Sequence, residues 1–337
     1  MNRPGASIAA LEQRSQLLRR LREFFYAREF VEVETPLLAD EVIPELHIDL
    51  SRVATQHTAH QSESEDRLAL RGNAATAFLQ ASPELHMKRL VAAGMQAIFQ
   101  VTRSFRANER GALHHPEFTI VEWYRVGDDL HAGLQLLDEL CQALLGSSAA
   151  RRTTYAAAFE KYVGINPHSS TAEQLAQRAA ELGIAIPAMT QTSDRDQWLN
   201  LLLAFKVEPE LGRAGPEILY DYPASQAALA KTVARAGGIE VAERFELYCQ
   251  GVELANGYHE LTDAAELRNR LEVVNHNRQA ESKAALPMPE RLLAAMEAGL
   301  PACAGCALGF DRLVMLARGA HTIAEVSALV DDAGGDA

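Results

Sequence analysis

Apolar and polar positions alternate with period two through residues 99–125, FQVTRSFRANERGALHHPEFTIVEWYR, on both sides of a short polar loop. Phe99, Val101, Arg103 and Phe105 share one face, and Gln100, Thr102, Ser104 and Arg106 the other. In the second half Phe118, Ile120, Glu122 and Tyr124 share a face. Strict alternation predicts two paired antiparallel strands. Arg106 closes the first strand, and Glu122 and Tyr124 end the second. A cation that can grip phosphate thus shares a hairpin with an anion and a phenol, which suits joint binding of a polyphosphate and a cationic small molecule.

Elsewhere the period changes. Leu11, Leu17, Leu18, Leu21, Phe24 and Phe25 recur at helical spacing and predict an amphipathic helix over 7–28. Residues 30–36 read as a strand that Pro36 ends, because proline cannot donate to a ladder. Residues 51–75 are polar and read as a surface loop, with His57 and His60 in solvent, followed by a strand at 77–80. Ser82-Pro83-Glu84 opens a helix to about residue 93, with Ser82 as N-cap. Helices follow at 129–146 and 171–183. The stretch 150–235 is Ala-rich and helical in places, with breaks at Asn166-Pro167, Glu208-Pro209 and Gly215-Pro216. It reads as an insertion between two halves of one catalytic domain. Residues 241–254 return to strand and 264–280 to helix. A glycine-bounded apolar strand then leads into a closing helix at 311–318.

Residues 245–262, FELYCQGVELANGYHELT, place Glu246, Glu253 and Glu260 seven apart. Gly251 and Asn256-Gly257 interrupt any helix and argue for strand, turn and strand. Carboxylates set among Phe245, Val252, Leu254 and Leu261 need a partner cation or metal. Mg²⁺ with nucleotide phosphates fits, since it combines a few carboxylates with phosphate oxygens; a lysine-like ammonium fits as well. In GCALGFDR at 305–312, Gly309 permits close approach to the backbone, and Arg312 in the next turn can reach a terminal phosphate.

Composition narrows the partners. The 337 residues carry a formal charge of −13, which disfavours non-specific nucleic-acid binding. No run of about 18 apolar residues predicts a membrane span, and the N-terminus lacks the apolar core of a signal peptide, so a cytoplasmic protein is expected. Cys141, Cys249, Cys303 and Cys306 are too few and too dispersed for a disulfide scaffold. Cys303 and Cys306 lack a second pair to complete a zinc site, and read as core thiols.

Together these motifs resemble class II aminoacyl-tRNA synthetases in their lysine-specific form. Phe105-Arg106, the loop with His114, and Pro116-Glu117-Phe118-Thr119 are similar to motif 2; residues 305–313 resemble motif 3; residues 30–36 with the preceding helix resemble motif 1, which in that family lies at the dimer interface. Residues 82–90 and 251–263 are similar to its lysine-binding segments. The strings PELHMKRL, EFTIVEWYR, PASQAALA and VELANGYHELTDA resemble, more closely, the truncated lysine-type paralogues that modify elongation factor P, over nearly the whole length.

The resemblance implies one α+β catalytic domain over 1–337, an antiparallel sheet flanked by helices, with a helical insertion at about 150–235. No anticodon-binding barrel is expected, because Pro36 follows a single helix; a tRNA partner is therefore not expected. ATP and Mg²⁺ are implied as cofactors, elongation factor P and lysine or (R)-β-lysine as partners, and a homodimer as the assembly. Arg106 would contact the α-phosphate and Arg312 the γ-phosphate, with Glu246 and Glu253 on Mg²⁺. Glu84, Tyr124 and Glu260 would receive substrate amino groups, with Ser82, Pro83, Glu122, Asn256 and Ala307 around them. Ala107, Asn108, Glu109, His114, His115, Leu254 and Gly309 would line the ATP site. Three positions depart from the family. Asn108 stands where motif 2 usually has an acid, with Glu109 next to it; His115 stands where the family has Asn. Ala307 replaces a glycine, which would reshape the pocket in a way consistent with a β-amino acid. A stand-alone lysyl-tRNA synthetase-like enzyme that charges tRNA, and a non-catalytic regulatory paralogue, are the alternative readings.

Overall fold

The computed structural model describes residues 5–55, 75–186 and 193–328. The first predicted helix forms as α1 (Ile8–Tyr26), capped by the Ser7 hydroxyl, which accepts the Ala10 N–H. Its stripe of Leu17, Leu21, Phe24 and Phe25 is buried in the main core. The strand read over 30–36 shrinks to β1 (Val31–Glu32), paired parallel to β5 (Ala97–Phe105). β2 (Leu38–Ala39), β3 (Arg52–Thr55) and β4 (Ala75–Leu79) form a separate antiparallel sheet in the order β2-β4-β3. Residues 52–55, read as loop, are thus a strand. His57 and His60 lie outside the described residues.

α2 (Glu84–Ala92) starts where predicted. Pro83, not Ser82, holds the N-cap position, although the Ser82 hydroxyl still accepts the Glu84 N–H at 3.1 Å. The predicted hairpin is β5 with β6 (Glu117–Val126), and α3 (Leu130–Leu145) follows, capped by Asp129 and ended by left-handed Gly146. The region 150–235 holds helices α4 (Tyr155–Tyr162), α5 (Ala172–Glu181) and α6 (Arg195–Leu202). It also supplies β7 (Arg151–Thr154), β8 (Glu217–Pro223) and β9 (Thr232–Ala234) to the main sheet, strands that the helical reading of the segment omitted. β10 (Glu240–Cys249) and β11 (Val252–His259) form the predicted strand-turn-strand. α7 (Ala264–Ala280), an unpredicted α8 (Glu290–Gly299), β12 (Cys303–Gly309) and α9 (Phe310–Arg318) complete the described chain. Among the described residues no helix is long and apolar enough to cross a membrane.

The main sheet runs β1-β5-β6-β12-β11-β10-β8-β7, antiparallel except at its two outer pairs, with β9 beside β10. One face, with Phe99, Val121, Trp123, Phe245, Leu247, Cys306 and Leu308, packs on α1, α3 and α9. The other face meets α2, α7 and α8 around Ile98 and Tyr124, and α4 to α6 around Tyr222, Ala242 and Tyr248. This second face carries the polar side chains. Between β11 and β12 the packing leaves no room at Gly257: a Cβ there would sit 2.4 Å from Phe245 Cζ and 2.8 Å from the Gly305 carbonyl oxygen. Gly257→Ala should therefore lower stability by about 1–3 kcal/mol through overpacking, read as a shift of the urea midpoint without a change in slope.

Candidate active site

Sheet register assembles the site. Residues directly opposite on neighbouring strands share a face. Gln100, Glu122, Ala307, Asn256 and Glu246 therefore form one transverse row across β5, β6, β12, β11 and β10. Tyr124, Gly305, Tyr258 and Arg244 form the next. A bulge at Leu247/Tyr248 breaks the β10–β11 register, so that Glu253 pairs with Tyr248 while Asn256 pairs with Glu246. Glu253 and Asn256 are three apart and would otherwise alternate; the bulge brings both to the site face.

At one end two carboxylates hold one ammonium, and a third stands beside them. Lys88, on the buried side of α2 and 1% exposed, pairs with Glu84 one turn earlier and with Glu260 Oε2 at 2.7 Å. Among the described residues Glu122 has only hydroxyl partners: Ser82 Oγ donates at 2.5 Å and Tyr124 OH at 2.6 Å. Burial alone would strip Lys88 of its proton, but the charges of Glu260 and Glu84 reverse this and hold it on. Burial, then repulsion from Glu84, pushes the Glu122 carboxyl up to about 7, against the hydroxyl hydrogen bonds. Burial likewise pushes Glu260 to about 8; Lys88 opposes it, and Glu84 and Glu122 add to it. Gly305 is required here, since a Cβ would lie 2.3 Å from Tyr124 Cε1 and 2.4 Å from Glu260 Oε1. A cavity of about 150 Å³ opens beside the cluster, lined among others by Ser82, Glu84, Arg106, Asn256, Tyr258 and Ala307. Asn256 donates to Tyr258 OH at 2.9 Å, while among the described residues its buried Oδ1 has no partner, nor has Arg106 Nε. Orphaned polar atoms of this kind are what a ligand satisfies.

Arg106 leaves β5 with its N–H on the Pro116 carbonyl (2.9 Å) and its guanidinium over the Phe118 ring (5.1 Å). Glu109 stands 3.9 Å away. Asn108 occupies the left-handed region at φ 67°, which Asn tolerates better than most residues. The Ala107 N–H donates to the Asp49 carbonyl at 2.7 Å. Arg312, in the first turn of α9, donates to the Leu113 and Glu253 carbonyls and lies 2.7 Å from His114 Nε2. Burial and then the Arg312 charge lower the His114 pKa, which keeps the ring neutral and able to accept. His115 is not drawn in with them: its half-buried ring lies 2.8 Å from the Glu117 carbonyl at the start of β6. The Leu254 side chain is in the core on the far face; its carbonyl is what approaches Gly309.

Glu246 is already well bonded, by Tyr222 OH and Tyr248 OH at 2.5 Å each and by Arg244. Glu253 is 42% exposed, with Arg312 at 3.8 Å. Partial burial and then the Glu246 charge push Glu253 up to about 7, and burial followed by Glu246 raises Glu208 as well. A divalent cation would relieve this mutual repulsion. Among the described residues, however, no group of three or more His, Cys, Asp or Glu is arranged to hold a metal by itself, so phosphate oxygens would have to complete the shell.

Lys88, Tyr258 and Arg244 were not picked out from the sequence. The Glu84–Lys88 spacing was the available signal, since an i,i+4 pair on the apolar side of a helix is a buried ion pair rather than a solvated one.

Comparison with known proteins agrees with this architecture. Residues 3–332 match the family described as tRNA synthetases class II (D, K and N). The chain belongs to that family, and its mostly antiparallel sheet flanked by helices is an α+β class II synthetase fold. Within it, the chain is 45% identical over 325 residues to the elongation factor P--(R)-beta-lysine ligase of Pseudoalteromonas translucida and 44% identical to that of Vibrio cholerae. Each alignment covers 96% of both chains.

Proposed function

We propose that this chain is an ATP-dependent ligase that activates (R)-β-lysine, or lysine, as an aminoacyl-adenylate and transfers it to the ε-amine of a lysine on elongation factor P. The observation that carries the reading is the charge imbalance of the buried cluster: Glu84, Glu122 and Glu260 against Lys88 alone. A diamino acid supplies the missing positive charge, and its carboxylate reaches toward Arg106 in the same cavity. Arg106 would steady charge on the α-phosphate as the carboxylate attacks it and pyrophosphate leaves. Arg312, neutral His114 and the backbone at Gly309 would hold the rest of the nucleotide, with Glu109 in the same loop. Mg²⁺ held by Glu246 and Glu253 together with the phosphates would neutralise their charge. The ε-amine of the acceptor then attacks the mixed anhydride and releases AMP. Positioning and electrostatics suffice, without a covalent enzyme intermediate.

Several further features belong to the same reading. The chain works as a single catalytic domain in the cytoplasm. It works as a homodimer, with exposed Ile8, Tyr26, Val31, Leu37 and Leu38 around α1 and the β1 edge as its interface. It acts on a protein rather than tRNA, which the charge of −13 favours. ATP–pyrophosphate exchange with (R)-β-lysine and α-lysine tests the first half; no exchange with either isomer would sink the proposal. Competition between unmodified elongation factor P and total tRNA tests the second; preferential labelling of tRNA reverses it.

The cluster also predicts a pH dependence. Glu122 and Glu260 titrate near 7 and 8 when folded, above the ordinary 4.5. Their protonated forms thus favour the folded state, and the unliganded protein should lose stability as pH rises from about 4.5 through 8. A diammonium ligand binds the ionised carboxylates. The rise in Tm caused by saturating lysine should therefore be larger at pH about 8 than at about 6, by differential scanning fluorimetry; an increment that shrinks with rising pH contradicts the assignment.

A further inference from the structure

One carboxylate at the cavity is left over. Glu45 lies on the irregular segment between β2 and β3 and lines the same cavity as Glu84, Arg106, Asn256 and Ala307. The other acids around the cavity are engaged. Glu84 and Glu260 hold Lys88, Glu122 holds Ser82 and Tyr124, and Glu41 accepts the Arg291 N–H. The Glu45 side chain makes no hydrogen bond or ion pair among the described residues, and it stays partly open. Its backbone, by contrast, is clamped. The Glu45 carbonyl accepts Arg278 Nη1 at 2.7 Å and the Leu46 carbonyl accepts Lys283 Nζ at 2.9 Å. Asp49, farther along, accepts the Ala107 N–H, next to Arg106. A free carboxylate on a fixed support thus lines the same cavity as Arg106, which would hold the activated carboxyl.

We propose that Glu45 is the general base of the transfer step and takes the proton of the incoming ε-amine. The inference rests on the function proposed above. The nitrogen lone pair forms the new C–N bond at the acyl carbon. The bond from that carbon to the phosphate oxygen breaks, and its electron pair leaves on AMP. The surplus proton on nitrogen passes to the Glu45 carboxylate and from there to water through the open side of the cavity. A base of this kind works best with a pKa near the operating pH. The surroundings supply it: burial and then Glu84 push Glu45 up to about 7, against Arg244 and Arg106. Tyr258 and His86, the other titratable groups on the elements packed around it, stay neutral near that pH, since burial raises the phenol and lowers the imidazole.

The test separates the two half-reactions. In Glu45→Gln the loss should fall on transfer and not on activation. ATP–pyrophosphate exchange, with its KM for (R)-β-lysine, should stay within about twofold. Single-turnover transfer from the preformed enzyme-bound adenylate to elongation factor P should fall by about 10²–10⁴. In the parent protein the transfer rate should rise with pH around 7; in Glu45→Gln this limb should vanish, and in Glu45→Asp it should persist at an intermediate rate. A raised KM for the amino acid in exchange would make Glu45 a binding residue and overturn the proposal. So would transfer within twofold of the parent, or loss of exchange in both variants. Absence of exchange in the parent protein is a different result, and counts against the ligase reading itself.

Discussion

Replacing Arg312 by alanine should lower ATP–pyrophosphate exchange by at least about 10²–10³-fold, with the loss in kcat rather than in KM for lysine. The side chain is 20% exposed, at the start of α9, and none of its partners belongs to the Lys88 carboxylate cluster. It links three parts of the nucleotide side at once: the Leu113 carbonyl, the Glu253 carbonyl and the His114 ring. Its removal takes away the cation proposed for the terminal phosphate and also frees the loop that carries His114. Lysine should still raise the Tm of the variant, because Lys88 and its carboxylates are untouched. Exchange within tenfold of the parent would refute the phosphate role; loss of the lysine-dependent Tm shift would show that the variant had damaged the fold instead.

Lys88→Met should be the most destabilising single change in the site. The ammonium is 1% exposed and is the cation shared by Glu84 and Glu260. Methionine fills the space but leaves two buried carboxylates facing each other. Breaking a buried pair from one side costs about 3–5 kcal/mol. The cost has a defined pH behaviour. Once unpaired, Glu260 loses the charge that opposes its upward shift, so it takes up a proton more readily. The variant should therefore recover stability as pH falls through about 8 toward 4.5, and Glu260→Gln in the same chain should restore part of it at pH 8. Urea unfolding of the parent, the single and the double variants measures both effects. A Lys88→Met cost below about 1 kcal/mol at pH 8 would mean that water or a counter-ion already reaches the cluster.

These expectations draw on features that the amino-acid sequence displayed to different degrees. The hairpin of β5 and β6 was legible because Phe99, Val101 and Phe105 fall on one face of the first strand and Phe118 and Ile120 on one face of the second, on either side of a polar loop. Glu246, Glu253 and Glu260 were legible as strand residues because Gly251 and Asn256-Gly257 rule out a helix. Lys88 was not, because a lysine flanked by Met87 and Arg89 reads as the polar side of an amphipathic helix; its burial follows from Glu260, which is distant in sequence. β7 and β8 were hidden by the alanine-rich helices between them, since each is stabilised by pairing rather than by its own composition. Leu254 illustrates a different limit. The family resemblance implied a place for it in the ATP site; the bulge turns its side chain into the core and leaves its carbonyl near Gly309.

That bulge makes β11 sensitive to length in a way that substitution would not reveal. Its side chains can be exchanged while the strand keeps its count, but one residue fewer between Val252 and Asn256 would restore simple alternation. Glu253 and Asn256 would then stand two apart and still share the site face, while one apolar side chain, Leu254 or Ala255, would be lost from the core. Such a deletion would act through packing: it takes away buried apolar area and leaves the polar row of the site in register.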